Sequence, residues 1–236
     1  MKQLKQLTKY LIKPKKIRKH IDRVNVFISI FCLTVLGILS YLVAHESIRS
    51  WDEEVLVTIK NILPEWFIYV AKVSYFLGEA EVTVFFVLFC LIYLVWKKYW
   101  CEAQVVAISC LSVLLLIDKV FKPFFRIRRP LGRLVSEITG YSYPSGHAAG
   151  NLLFYFLVAY IAAKIAPRYK VWFYSLATIA IGLMGVSIAY LRVHWISDVL
   201  ASYCLGYILF TIAIVLLESS LPNKLQQDEK EKGVRF

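Results

Sequence analysis

The chain lacks the usual covalent and metal staples of a small domain. Its five cysteines, Cys32, Cys90, Cys101, Cys110 and Cys204, form no C-x-x-C pair and no disulfide framework. Four lie in apolar runs, where a thiol packs as a small hydrophobe. No cluster of Asp, Glu and His has metal-ligand spacing, so neither a metal centre nor another cofactor is expected. Internal repeats and low-complexity tracts are missing too. Acidic residues are scarce, 16 against 28 Lys and Arg, which leaves a net charge of +12. A cleavable leader is not expected either. The first apolar run, 24–44, has 21 residues, against the ~7–15 of a signal peptide core. It reads as a retained anchor.

What the chain has in quantity is apolar sequence. Hydrophobic residues make up 59% and mean hydropathy is +0.61, whereas soluble domains sit nearer ~45–50% apolar. The excess falls in long uncharged runs between short charged segments. A membrane-spanning helix needs ~20 mostly apolar residues. Runs 24–44, 66–96, 145–163, 171–191 and 199–217 meet that need, and 103–117 does so once extended through Asp118 and Lys119 to the interface. The 66–96 run is too long for one straight crossing and is interrupted around Gly78, so a bend is expected there. The expected architecture is all-α: one polytopic bundle of six transmembrane helices over 24–217, with a basic arm at 1–23 and a charged tail at 218–236. All six tryptophans, Trp51, Trp66, Trp96, Trp100, Trp172 and Trp195, fall at expected helix ends, as an interfacial aromatic belt would place them.

Charge orients the bundle. Nine Lys or Arg residues precede the first span, which suits the cytoplasmic side and its anionic lipids better than a nucleic-acid arm. With six spans both termini lie inside, together with the basic links at 97–98 and 164–170. Segments 45–65, 119–143 and 191–197 then lie outside. The second of these runs against the charge rule. It carries Lys119, Lys122, Arg126, Arg128, Arg129 and Arg133 against Glu137 alone. Either it binds lipid headgroups generally or it builds a dedicated anion site.

Three outside elements supply chemistry. Lys122-Pro-Phe-Phe-Arg-Ile-Arg-Arg129-Pro130 offers a compact cation and guanidinium forks for phosphate oxygens. Tyr143-Pro-Ser-Gly-His147 opens a spanning helix. The free N–H groups of its first turn attract anions, Ser145 can donate a hydroxyl and Gly146 allows close backbone approach. The plainer reading is an ordinary N-terminal cap with an interfacial histidine. His194-Trp-Ile-Ser-Asp198 puts a carboxylate four residues after an imidazole. On a helix, Asp198 can hold one ring nitrogen and leave the other free to attack. A helix-end ion pair is the alternative. Asp118, four residues before Lys122, either orients that lysine or makes a simple helix pair. His20 and His45 belong to no motif.

Together these segments resemble the type 2 phosphatidic acid phosphatase family, whose pattern is K-x6-R-P, P-S-G-H and S-R-x5-H-x3-D. The first two motifs are complete as Lys122…Arg129-Pro130 and Pro144–His147. The third keeps Ser187, His194 and Asp198. The resemblance implies a lipid-phosphate substrate and metal-independent hydrolysis, which the topology would place on the outer face of the cell membrane. His194 would form a phosphohistidine, Asp198 would orient it, and His147 would act as acid and then base. Lys122, Arg129, Ser145 and Gly146 would hold the phosphoryl oxygens. Expected substrates are polyprenyl diphosphate, phosphatidic acid, phosphatidylglycerol phosphate or diacylglycerol diphosphate.

One position departs from the family. Ile188 stands where the third motif carries Arg. Arg192, four residues on, would share its helical face and could reach back to the phosphate. The alternative is an interfacial anchor. The gap leaves room for a lipid-phosphate binding or transport protein with weakened turnover. Separately, a phosphohistidine could pass its phosphoryl group to an acceptor other than water, which would make the chain a lipid-linked phosphotransferase. If the pocket is merely under-charged, Ile188→Arg is expected to raise activity.

Overall fold

In the computed structural model, residues 23–136 and 138–220 are described; the arm at 1–22, Glu137 and the tail from 221 lie outside them. The described residues form helices and no strand: α1 (Arg23–Ala44), α2 (Arg49–Ile62), α3 (Phe67–Leu77), α4 (Ala80–Trp96), α5 (Trp100–Leu115), α6 (Gly146–Ile165), α7 (Lys170–Tyr190) and α8 (Ile196–Ser220). Helix α5 runs on through a π segment, Leu116–Phe121, and a last turn, Lys122–Phe125. Among the described residues, five helices are long and apolar enough to cross a membrane, and a sixth crossing is counted if the bent pair α3–α4 acts as one. The all-helical, polytopic fold read from the apolar runs therefore holds, including the break near Gly78, where α3 and α4 meet at 53°.

Helices α6 and α8 form the centre and pack against each other, with α1, α5 and α7 around them. Their first turns share the end that carries the chemical motifs. Phe27, Phe31, Phe85, Phe89 and Trp172 instead lie exposed on the outer surface of the bundle. That distribution suits a solvent of acyl chains, which leaves no reason to hide apolar side chains.

The bend is held by polar bonds that a membrane interior makes obligatory. Breaking a helix frees carbonyls that lipid cannot satisfy. The Asn151 amide donates to the Gly78 carbonyl at 3.1 Å and to the His147 carbonyl at 2.9 Å. Thr83 Oγ1 donates to Asn151 Oδ1 at 3.1 Å. One amide on α6 thus ties down both the α3–α4 junction and the first turn of its own helix.

Two sequence readings need correction. Segment 45–65 is not only a link. It contains α2, fourteen residues long, whose Asp52 and Leu56 are buried against the bundle. Its mixed composition hid it, because a helix lying across the end of a bundle needs no continuous apolar run. Trp195, read as part of a lipid-facing belt, is 8% exposed. Its indole N–H donates to the Arg128 carbonyl at 2.8 Å.

The α6–α8 crossing is close enough to demand glycine. A Cβ at Gly206 would lie 2.8 Å from the Ala149 carbonyl oxygen and 3.3 Å from its Cα. Gly206→Ala is therefore expected to cost ~1–3 kcal/mol by forcing the helices apart. Gly182→Ala, with nothing within 4 Å of the added carbon, should be neutral. Thermal melting of both variants in detergent checks the pair.

Candidate functional site

The 126–145 loop enters the site from the end of α5. Arg126 takes a left-handed conformation, φ 54°, and closes the last turn through its N–H to the Lys122 carbonyl at 3.0 Å. Two backbone bonds then dock the loop: Ser142 N–H to the Ile127 carbonyl at 2.8 Å and Leu134 N–H to the Leu191 carbonyl at 3.1 Å. The second bond joins it to the short link between α7 and α8, which carries His194. The three outside segments named from sequence thus meet at one end of the bundle.

His194 is 1% exposed and lies between an acid and a cation. Arg129 Nη1 lies 2.9 Å from His194 Nε2. A guanidinium can only donate, so Nε2 is the acceptor and the ring proton sits on Nδ1. Nδ1 faces Asp198 Oδ2 at 3.3 Å and Ser142 Oγ at 3.2 Å. Asp198 Oδ2 also accepts from Ser142 Oγ and, at 3.1 Å, from the Trp195 N–H. Burial, with the charges of Arg129 and Lys122, holds His194 well below its usual range near 6.5. The imidazole is therefore neutral at pH 7, and its contact with Asp198 is a hydrogen bond rather than an ion pair. Its lone pair points away from the carboxylate, as nucleophilic attack requires.

Arg129 is held by its neighbours as firmly as it holds them. Its guanidinium donates to the carbonyls of Gly140 at 3.3 Å, Tyr141 at 3.3 Å and Val193 at 3.1 Å. Lys122 Nζ pairs with Asp118 Oδ1 at 2.7 Å across the π segment. That geometry is the i,i+4 pair, and both residues line the cavity. π segments recur at functional sites because the extra residue redirects side chains.

His147 lines the same cavity. Its ring stacks on Tyr75, centroids 4.7 Å apart, and its buried Nε2 has no hydrogen-bond partner. Histidines 147 and 194 thus face one space, with Lys122, Arg129 and Gly146 around it. The cavity measures about 430 Å³ and continues between α4 and α5 past Val84, Val87, Leu111 and Leu114. Val84, Leu111 and Leu114 are also 46%, 57% and 41% exposed. The cavity therefore opens sideways, towards the surface that apolar side chains cover.

Two site residues, Ser145 and Arg192, sit differently from the sequence reading. Ser145 is buried off the cavity wall, and its Oγ accepts from the Ala148 N–H at 3.3 Å. This is the helix-cap arrangement. Arg192 does not share a helical face with Ile188, because α7 ends at Tyr190 and Arg192 is left-handed, φ 55°. Its side chain donates to the Leu131 carbonyl at 2.8 Å and pairs with Glu53, away from the cavity. Ile188 is fully buried in an apolar cluster with Phe67, Ala71 and Met184. Arg126 and Arg128 are exposed and also off the cavity wall.

Sequence reasoning missed Ser142, Tyr75, Asn151 and Asp52. An amide four residues after His147 in an apolar helix was a usable signal for Asn151. Nothing local marks the other three.

Comparison with known proteins agrees with this geometry. Residues 119–220, which span all three motifs, match the model of the PAP2 superfamily. A curated relative, phosphatidylglycerophosphatase B of Bacillus subtilis (strain 168), is 36% identical over 99 residues, 40% of this chain and 48% of that protein. The chain thus spans about half the length of that relative. A solved structure of a transmembrane PAP2 type phosphatidylglycerolphosphate phosphatase from Bacillus subtilis matches with a TM-score of 0.73 at 23% identity. The match covers 89% of this chain and 99% of that one, and shows a shared fold.

The setting of Ile188 reverses an earlier expectation. An arginine there would bury a charge among apolar side chains, at a cost of several kcal/mol. Ile188→Arg should lower the melting temperature in detergent and should not raise turnover. Unchanged melting with higher activity would refute this.

Proposed function

We propose that this chain is a membrane lipid phosphatase of the PAP2 superfamily, whose model matches residues 119–220. The observation that carries the reading is the cavity: a phosphate-seeking end beside His194 and His147, continuous with an apolar slot between α4 and α5. A lipid could keep its chains in that slot while its phosphate meets the basic end. The curated relative's name and the resolved motifs support a phosphoric monoester or diphosphate of a lipid as substrate. Phosphatidylglycerol phosphate is the first candidate, with phosphatidic acid and polyprenyl diphosphate next.

The hydrogen bonds support the following reaction. A phosphoryl group entering between Arg129 and His194 takes the guanidinium for its own oxygens and leaves Nε2 free. Nε2 attacks phosphorus while the bond to the lipid oxygen breaks. His147 Nε2, unpartnered in the cavity, gives a proton to the departing oxygen. Asp198 stabilises the positive imidazole ring of the phosphohistidine. His147 then takes a proton from water, which attacks phosphorus, frees inorganic phosphate and restores His194. Arg129, Lys122 and the Gly146 N–H stabilise the charge that spreads over the phosphoryl oxygens in both steps. No step needs a metal ion.

Placement in the cell follows the charge rule. The basic arm at 1–23 and the links at 97–98 and 164–170 favour the cytoplasm. The 24–217 bundle would then present its site at the outer face of the plasma membrane.

Purified protein assayed for phosphate release from a panel of lipid phosphates, with EDTA present, tests the proposal. Wild type should turn over, vanadate should inhibit it, and His194→Ala should fall at least ~10³-fold. Turnover that survives His194→Ala would rule out the phosphohistidine. Loss of turnover in EDTA would rule out the metal-free route.

A further inference from the structure

Helix α2 touches no part of the cavity, yet it runs antiparallel along the segment that carries the nucleophile. Lys60 Nζ donates to the Tyr190 hydroxyl at 2.8 Å. Glu53 pairs with Arg192. The Arg49 guanidinium lies over the Trp195 ring, 4.2 Å from its centroid. Asp52, fully buried, accepts the Ser197 N–H at 2.8 Å and the Ser197 hydroxyl at 2.7 Å. Four side chains of one surface helix thus grip residues 190–197.

The gripped segment has little rigidity of its own. Helix α7 ends at Tyr190 and α8 begins at Ile196. Between them, Arg192 takes a left-handed conformation, which a non-glycine residue keeps only where neighbours enforce it. The Glu53 pair and the bond to the Leu131 carbonyl enforce it here. Asp52 caps α8 one residue before Asp198, so it also sets where the orienting carboxylate stands. The bonds of His194 to Arg129 and Asp198 hold its ring; α2 holds the backbone beneath it.

We propose that α2 is a positioning element of the active site, in which Asp52 and the Glu53–Arg192 pair hold the His194 segment in line for attack. On this reading, which rests on the phosphatase assignment above, Arg192 is a latch and not a ligand of phosphate. It also gives the residue near the missing third-motif arginine a role that the motif does not supply.

Full-length protein, a lipid phosphate substrate and the variants Glu53→Ala, Arg192→Ala, their double, Asp52→Ala and Asp52→Asn test the proposal. Glu53→Ala and Arg192→Ala should lower kcat by the same factor, about 3–10-fold, with KM within about twofold, and the double should be no worse than either single. Asp52→Ala should lower kcat ~10–100-fold, the scale of a small misplacement of a reacting group. Asp52→Asn, which keeps an oxygen for the Ser197 N–H, should recover most of it.

A phosphate-binding Arg192 gives the opposite pattern. Arg192→Ala would then fall far more than Glu53→Ala and raise KM, and Glu53→Ala would stay level or gain. That outcome overturns the proposal, as does Asp52→Ala within twofold of wild-type kcat. If Asp52→Ala fails to fold, the Glu53 and Arg192 cycle decides. If wild type releases no phosphate from any lipid, the phosphatase reading fails by itself. The rise in melting temperature caused by vanadate then reads the positioning: present in wild type and lost in Asp52→Ala supports it, equal in both refutes it.

Discussion

The site depends on one hydrogen bond, from the Arg129 guanidinium to His194 Nε2 at 2.9 Å. Because arginine can only donate, the bond decides the tautomer, and the tautomer decides which nitrogen can attack. The same guanidinium spends its other donors on the carbonyls of Gly140, Tyr141 and Val193. It thereby fastens the 126–145 loop to the α7–α8 link. A lysine could not make these four contacts from a single point of charge. Binding geometry and loop closure therefore rest on one side chain, and Asp198 completes the arrangement from the opposite side of the ring.

The room for a substrate comes from two irregularities on facing walls. Helix α4 starts after the break at Gly78, and α5 ends through a π segment that carries Asp118 and precedes Lys122. Irregular backbone at membrane depth is tolerated where protein satisfies the freed groups or where it lines a cavity. Both conditions appear here. Asn151 takes up the Gly78 carbonyl, and its neighbour four residues earlier is His147. The amide that holds the bend thus also fixes, by a second bond, the first turn of the helix that presents the second histidine.

Much of this was legible in the sequence, and the physics of the bilayer explains why. Lipid imposes long apolar runs, so the spanning helices and the Gly78 break could be read from length and composition. The chemical motifs were readable because their residues lie close together in the chain. What escaped was non-local. Asp52 meets Ser197, 145 residues away, and Ser142 reaches Asp198 across 56. Neither distance leaves a periodic trace. Arg192 failed for a different reason: its helical spacing from Ile188 assumed that α7 continues, and α7 stops at Tyr190. Ser145 was placed correctly in the chain, yet its oxygen caps a helix rather than facing the cavity.

Two of these misses share a direction. Ser145 and Arg192 were each assigned to the phosphate, and the fold uses both to hold its own backbone. In a bilayer, few waters are at hand to satisfy loop carbonyls and helix ends, so side chains must do it. Ser145, Arg192 and Asp52 each discharge such a debt around the entrance to a spanning helix. The cations and imidazoles left lining the cavity are then few: Lys122, paired with Asp118, Arg129, His147 and His194. The proposed phosphate site is thus a remainder, the set of charges still open to a ligand after the loops have been satisfied. That remainder is defined by the three-dimensional bookkeeping of hydrogen bonds, which the order of residues along the chain only partly records.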